Sequence, residues 1–304
     1  MRPEIREAID LLRSRDPKSR DRVLELIQQT VYSFSMKLCG HREDAEDASQ
    51  EVLVKAAKHL PKLEDPGGLT TWLYTVAKNA CLMQRRKPKS APARMGSLDE
   101  LMPDREELEA LEQSVPGSPE HLVLREEEAE RVRQAVLRIP PRYRLILALH
   151  DMEELSTEEV ARITGLTENT IRVRLHRARL LVRRELSQSR RVEATSSRGR
   201  SPSRRTPARE SPQNCREMLA AVSDYLDGRL ADSVCGEMDR HMSRCVPCKA
   251  FLDDLKETIR EIKTYKSESI DPHGAAAIRR IVLKKYEAAL KHSAPGFLKT
   301  LSSL

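Results

Sequence analysis

The stretch Leu155–Leu186, LSTEEVARITGLTENTIRVRLHRARLLVRREL, leaves its backbone little choice. Ser156 or Thr157 can cap a helix, and Glu159 is placed to close a capping box. Val160, Ala161 and Ile163 give that helix one apolar face. Gly165 interrupts it where a left-handed turn is wanted, Leu166 closes the corner, and Thr167 can cap the next helix. This second helix carries an apolar stripe of Ile171, Leu175, Ala178 and Val182. Arg172, His176, Arg177, Arg179 and Arg183 are expected on its exposed faces. A capped helix, a Gly turn and a basic second helix are the signature of a helix-turn-helix. The plainer reading is an antiparallel hairpin whose arginines merely solvate it, but turn chemistry and charge placement together favour the first.

Composition supports helices throughout. The chain has one Trp, three Phe and six Tyr among 304 residues, with little Gly. Leu, Ala, Arg, Glu and Val dominate, so an all-α fold of small bundles is expected rather than a sheet. Lys and Arg total 54 against 47 Asp and Glu, a net charge of +7 that permits a polyanionic partner without requiring one. No apolar run is long enough for a membrane span, and the start, MRPEIREAIDLLRSR, lacks a signal-peptide core. A cytoplasmic chain with no membrane contact is the expectation. In that compartment clustered Cys and His point to metal or redox chemistry rather than disulfides.

Composition shifts divide the chain. Residues 1–90 read as a helical unit ending in the basic run QRRKPK. Residues 91–118 read as an acidic linker containing LDELMPDREELEALE, and residues 119–187 as the helix-turn-helix unit. Residues 188–213 are rich in Ser, Arg and Pro and cannot bury a core, so a flexible basic linker is expected. Residues 214–304 form a third unit. In the first, Asp44–Leu60 reads as a helix burying Ala45, Ala48, Val52 and Ala56, with Asp44, Asp47, Gln50 and Glu51 on the opposite face. Leu69–Lys87 reads as another, with Trp72, Leu73, Val76, Ala77 and Ala80 inward. Lys78, Asn79, Arg85, Arg86 and Lys87 lie outward or at its C-terminal end, where cations suit the helix dipole. Between them PKLEDPGG reads as a loop.

The order of DAEDASQEVLVKA, TTWLYTVAKNACLMQRRK, the acidic link and IPPRYRLILALHDMEELSTEEVARITGLTENTIRVRLHRAR resembles the small two-domain extracytoplasmic-function sigma factors of bacteria. The resemblance implies a factor directing promoter-specific transcription initiation, and no enzyme. It implies that Asp44, Asp47, Gln50 and Glu51 face the β′ clamp helices of core RNA polymerase; an acidic face meeting basic residues is physically apt. It implies that Lys78, Asn79, Arg85 and Arg86, with the loop Lys62–Gly68, melt and read the −10 promoter element. At the −35 element Arg172, Val173 and His176 match base-facing positions, while Arg174 and Arg177 match phosphate-facing ones. Val173 departs from the small Ser usual in the family but can pack on a thymine methyl. Leu53 and Ala57 are smaller than the aromatics usual there. The acidic link resembles the segment that threads the polymerase's RNA channel.

RHMSRCVPCKAFLDD, Arg240–Asp254, holds His241, Cys245 and Cys248. If Asp232–Arg244 is helical, His241 and Cys245 share one face, and the Cys-x-x-Cys turn lets Cys248 join them. Tetrahedral zinc wants a fourth donor. Cys235 points away from His241 on such a helix, which leaves Cys215. The run from Cys215 through Tyr225, Leu226, Asp227, Gly228 and Leu230 to the His/Cys cluster resembles a zinc-binding anti-sigma module, here fused behind the basic linker. One Zn²⁺, structural or sensory, and a contact between this module and the sigma domains are implied. Cys39 and Cys81 read as ordinary core. The terminal helix, DPHGAAAIRRIVLKKYEAALKH, is amphipathic and is expected to pack on the module or on the sigma domains.

The same residues admit two rival readings. One is a conventional helix-turn-helix regulator working without polymerase, which leaves the acidic Asp44–Glu51 face unexplained. The other is a thiol-disulfide oxidoreductase using Cys245 and Cys248, although no thioredoxin-like strand pattern surrounds them.

Overall fold

The structure is a computed structural model describing residues 2–14, 19–60, 65–84, 101, 124–197, 213–267 and 269–292. Every regular element among the described residues is helical, as composition requires. The N-terminal group is α1 (Pro3–Arg13), α2 (Arg20–Cys39), α3 (Arg42–His59) and α4 (Leu69–Gln84), the last entered through a 3₁₀ turn, Pro66–Gly68. The middle group is α5 (Leu124–Arg138), α6 (Pro141–Leu147) running into a π turn at Ala148–Met152, α7 (Thr157–Thr164) and α8 (Glu168–Ser197). The last is α9 (Gln213–Leu226), α10 (Asp232–Met242), α11 (Val246–Thr264) and α12 (Pro272–His292).

Local chemistry sets the ends of these helices. Ser156 caps α7 by accepting from the Glu159 amide while the Glu159 carboxylate accepts from the Ser156 amide. Gly165 ends α7 in the left-handed region at φ 73°. Thr167 Oγ1 then accepts from the Thr170 amide at the start of α8. The linker expected over residues 188–213 is shorter than its composition suggests, since α8 continues to Ser197. Its Gln, Arg, Glu and Ala residues suit a helix already nucleated, and the first strong breakers, Gly199 and Pro202, come later.

The N-terminal and middle groups share one apolar core. Ile5, Ile27, Phe34, Val52 and Leu73 join Ile139, Ile146, Val160, Leu175 and Val182 in a single buried cluster. Two helical units that read as separate in the sequence therefore pack directly on each other. The acidic segment expected to tether them lies outside the described residues except for Leu101. That residue is buried in a second cluster with Leu180 of α8 and with Cys215, Leu219, Val222, Phe251 and Leu255 of α9 and α11. A third cluster seats α12 on α2 and α3, where Tyr32, Met36 and Ala45 meet Ile270 and Ala275. Residues after 213 thus go to two places: α9–α11 cover α8, and α12 lies across the first group.

Candidate functional site

The basic face of α8 is not a free surface. Arg179, expected among the exposed arginines, is wholly buried. Its guanidinium donates to Asp151 at 2.8 and 2.7 Å, and to Asp227, just after α9, at 2.9 and 2.8 Å. Burial disfavours the Asp151 carboxylate, but Arg179 overcomes it and holds that group well below the usual carboxylate range. One turn along, Arg183 donates to Asp254 of α11 at 2.6 Å and lies 4.4 Å from the Phe251 ring centroid. His176 is buried too, its Nδ1 2.8 Å from Ser223 Oγ of α9. Its Nε2 is buried and has no hydrogen-bond partner. Burial, and then the Arg179 charge, push its imidazole down to about 4. The expectation that His176, Arg179 and Arg183 face solvent is corrected: acidic and aromatic groups of α9–α11 cover them. Arg172 and Val173, nearer the start of α8, escape this cover. Arg172, half-buried, pairs with Glu168 at 3.3 Å, and Val173 is 47% exposed. Arg174 and Arg177 are half-buried.

Beneath that contact lies the thiol cluster. Cys215 Sγ is 3.7 Å from His241 Nε2 and 4.0 Å from Cys245 Sγ. The ligand atoms of Cys215, His241, Cys245 and Cys248 all lie within 4.8 Å of one another. The helix read over Asp232–Arg244 ends two residues early, although the Cys245 amide still donates to the His241 carbonyl at 2.9 Å. α10 stops at Met242, and Cys245 is the extended residue before α11, whose first turn contains Pro247 and Cys248. The turn, rather than a shared helix face, brings the imidazole and the thiols together. Cys235 instead directs its thiol to the Leu230 carbonyl at 3.7 Å. Burial pushes the thiols of Cys215 and Cys248 upward. The 3.7 and 4.0 Å separations lie near the roughly 3.5–3.8 Å donor–donor edges of a tetrahedral site with Zn–S of about 2.3 Å and Zn–N of about 2.0 Å. The donor set fits zinc.

The remaining predicted residues lie apart from this centre. On α3, Asp47 is exposed and Asp44, Gln50 and Glu51 are half-buried, with Glu51 2.5 Å from Lys55. On α4, Asn79 is exposed, but Lys78 donates to the Ile163 carbonyl near the end of α7 at 2.7 Å. Arg85 and Arg86, and residues 61–64 of the preceding loop, fall outside the described residues. Trp72, expected in the core, is only half-buried and stacks on His59 with ring centroids 4.5 Å apart.

Comparison with known proteins fits this layout. The Sigma-70 region 2 model matches residues 24–90, the Sigma-70 region 4 model matches residues 129–182, and a zinc-finger model matches residues 215–249. RNA polymerase sigma factor YlaC of Bacillus subtilis is 28% identical over 179 residues, 58% of this chain and 98% of that protein. ECF RNA polymerase sigma factor SigW of the same species is 26% identical over 184 residues, 60% and 96% of the two chains. The ECF RNA polymerase sigma-E factor of Escherichia coli K12 is 30% identical over 140 residues, 45% of this chain and 70% of that one. The chain belongs to the extracytoplasmic-function sigma factors. This sigma factor works in transcription initiation and carries a zinc-finger segment behind its two sigma regions. The family's members are specificity factors, not enzymes. Among its described residues, no helix is long and apolar enough to cross a membrane. Two groups went unsingled in the sequence of this sigma factor: Asp227 as a partner of Arg179, and Glu153. Asp227 stood out only as part of a YLDG pattern, and nothing local marks Glu153 among so many acidic residues.

Proposed function

We propose that this chain is a cytoplasmic promoter-specificity subunit held closed by its own zinc-binding segment. Core RNA polymerase, through its β′ clamp helices, docks on the α3 face of Asp44, Asp47, Gln50 and Glu51. Promoter DNA is read at −10 by Lys78, Asn79, Arg85 and Arg86, and at −35 by Arg172, Val173, Arg174, His176 and Arg177. One Zn²⁺ is held by Cys215, His241, Cys245 and Cys248. When bound, it ties the start of α9 to the α10–α11 turn, which sets Ser223, Asp227 and Asp254 against α8.

The observation that carries the closed state is the double pairing of Arg179. Asp151 belongs to its own helix-turn-helix unit, while Asp227 comes from the zinc-finger segment. A helix meant for the major groove must present its polar face to base edges and phosphates. Here His176, Arg179 and Arg183 on that helix are spent on intramolecular partners. The position of α12 supports the same reading, since it packs on α2 and α3 beside the acidic face.

The test supplies core polymerase from the source organism with the full-length chain and fragmented genomic DNA, and maps transcript 5′ ends. Discrete start sites absent with core alone are expected, with more transcript from Asp227→Ala than from the parent. Failure of both proteins to direct any start site overturns the reading.

A further inference from the structure

The two sigma regions are also fastened directly to each other, through side chains that none of the zinc-finger ligands supplies. Glu153 follows the π turn of the helix-turn-helix unit and is fully buried. Its carboxylate accepts from Lys37 Nζ of α2 at 2.8 Å, from Tyr74 Oη of α4 at 2.6 Å and from Arg2 Nη2 at 3.1 Å. Lys37 is itself buried, and that burial lowers the affinity of its amine for a proton while Glu153 opposes the loss.

Three further contacts cross the same seam. Arg144 of α6, held by the Val136 and Ile139 carbonyls of its own group at 3.0 Å each, donates across to the Leu38 carbonyl at the end of α2 at 2.7 Å. Lys78 holds the end of α7. Gly40, at φ 78°, lets the end of α2 approach Leu137 of α5 so closely that a Cβ there would lie 2.6 Å from a Leu137 methyl.

We propose that Glu153 is the catch of a second, metal-independent lock. It keeps α4 shut against the helix-turn-helix unit, so that release of the zinc-finger segment bares α8 while leaving α4 covered. The assignment of α4 to the −10 element rests on the function proposed above; the lock itself does not.

The physics is that of a buried ion pair. Removing the carboxylate and the Lys37 ammonium from water is costly, and their mutual attraction, helped by half-buried Arg2, offsets that cost only while all remain assembled. Separation of the two regions returns every one of these groups to water, so the arrangement has a shut form and an open form with little between. Neutralising the carboxylate alone strands Lys37 in the shut form and favours the open one. Replacing the carboxylate and Lys37 together by apolar groups removes the stranded charge and lets the seam close.

The experiment uses the full-length chain with dyes on azide-bearing residues in place of exposed Lys58 and Asn169, on α3 and α8. Energy transfer between them reports whether the regions are shut. Chelation with EDTA is expected to leave transfer unchanged, while Glu153→Gln raises the open fraction by about a hundredfold. The pair Lys37→Met with Glu153→Leu is expected to restore transfer. Loss of transfer on chelation alone overturns the proposal, as does parental transfer in Glu153→Gln. If Glu153→Gln loses helical circular dichroism, the double variant decides: recovered transfer supports the catch, and persistent loss rejects it. None of these readouts involves DNA or polymerase, so failure of the lock and failure of the sigma reading are separable.

Discussion

Asp227→Ala removes the carboxylate that joins the zinc-finger segment to Arg179 of α8, a group that also pairs with Arg229 of its own segment. The change removes both oxygens that receive the Arg179 fork, at 2.9 and 2.8 Å, and leaves Arg179 paired with Asp151. Because Arg179 keeps one carboxylate, the full penalty of a stranded buried charge, about 3–5 kcal/mol, does not apply. Loss of a charged, two-pronged hydrogen bond is worth about 2–3 kcal/mol. That loss falls on the closed state alone, since an open α8 makes no contact with Asp227. Apparent DNA affinity scales with the fraction of molecules that are open, so it should rise roughly 30- to 150-fold, until the open form is the majority. The assay is fluorescence anisotropy of a duplex selected by the chain from random sequence, at one fixed salt concentration. Asp227→Asn, which keeps one acceptor, should fall between variant and parent. If Asp227→Ala binds within twofold of the parent while retaining its helix content and metal, the zinc-finger segment does not guard α8 and the reasoning fails.

The same contact should respond to pH. In the closed state His176 faces Ser223, Arg179, Arg177 and Asp224, and burial followed by Arg179 holds it down to about 4. Once open, it returns to about 6.5. The open form therefore binds more protons between those values, so closure is at full strength above about pH 6.5 and weakens as pH falls towards 4. The protection factors of α9 amides, which divide out the slowing of intrinsic exchange at lower pH, should fall from pH 7.5 to 5, and His176→Gln should abolish that fall. Purified protein should carry about one zinc per chain by elemental analysis, and Cys248→Ser should lose it; full retention rejects the ligand set. Gly40→Ala forces a left-handed backbone on a residue with a Cβ and pushes on Leu137. A loss of about 2 kcal/mol, seen as a lower Tm, is expected; an unchanged Tm means the seam tolerates a side chain there.

Periodicity, capping and turn chemistry were enough to place the elements. Ser156 with Glu159, Gly165 and Thr167 dictate the helix-turn-helix through contacts no more than a few residues long, and such contacts are written directly in a sequence. That Cys215, His241, Cys245 and Cys248 would come together was legible for a related reason: few side chains bind zinc, and their spacing narrows the choice. The helix end was placed two residues late, at Arg244 rather than Met242, and Pro247 in the first turn of α11 makes a second helix begin just after Cys245.

What tertiary structure decided is which charges meet. Arg172, His176, Arg179 and Arg183 look alike on a helical projection. Yet Arg172 pairs at the surface, whereas Arg179 and Arg183 are buried under Asp227, Asp254 and Phe251 from more than forty residues away. Glu153, one carboxylate among 47 acidic residues, is singled out only by the meeting of Lys37, Tyr74 and Arg2 around it. Local structure follows from short-range sterics and hydrogen bonds that each stretch of chain carries with it. The value of a charge depends on its solvent and its neighbours, and both exist only once distant helices have packed.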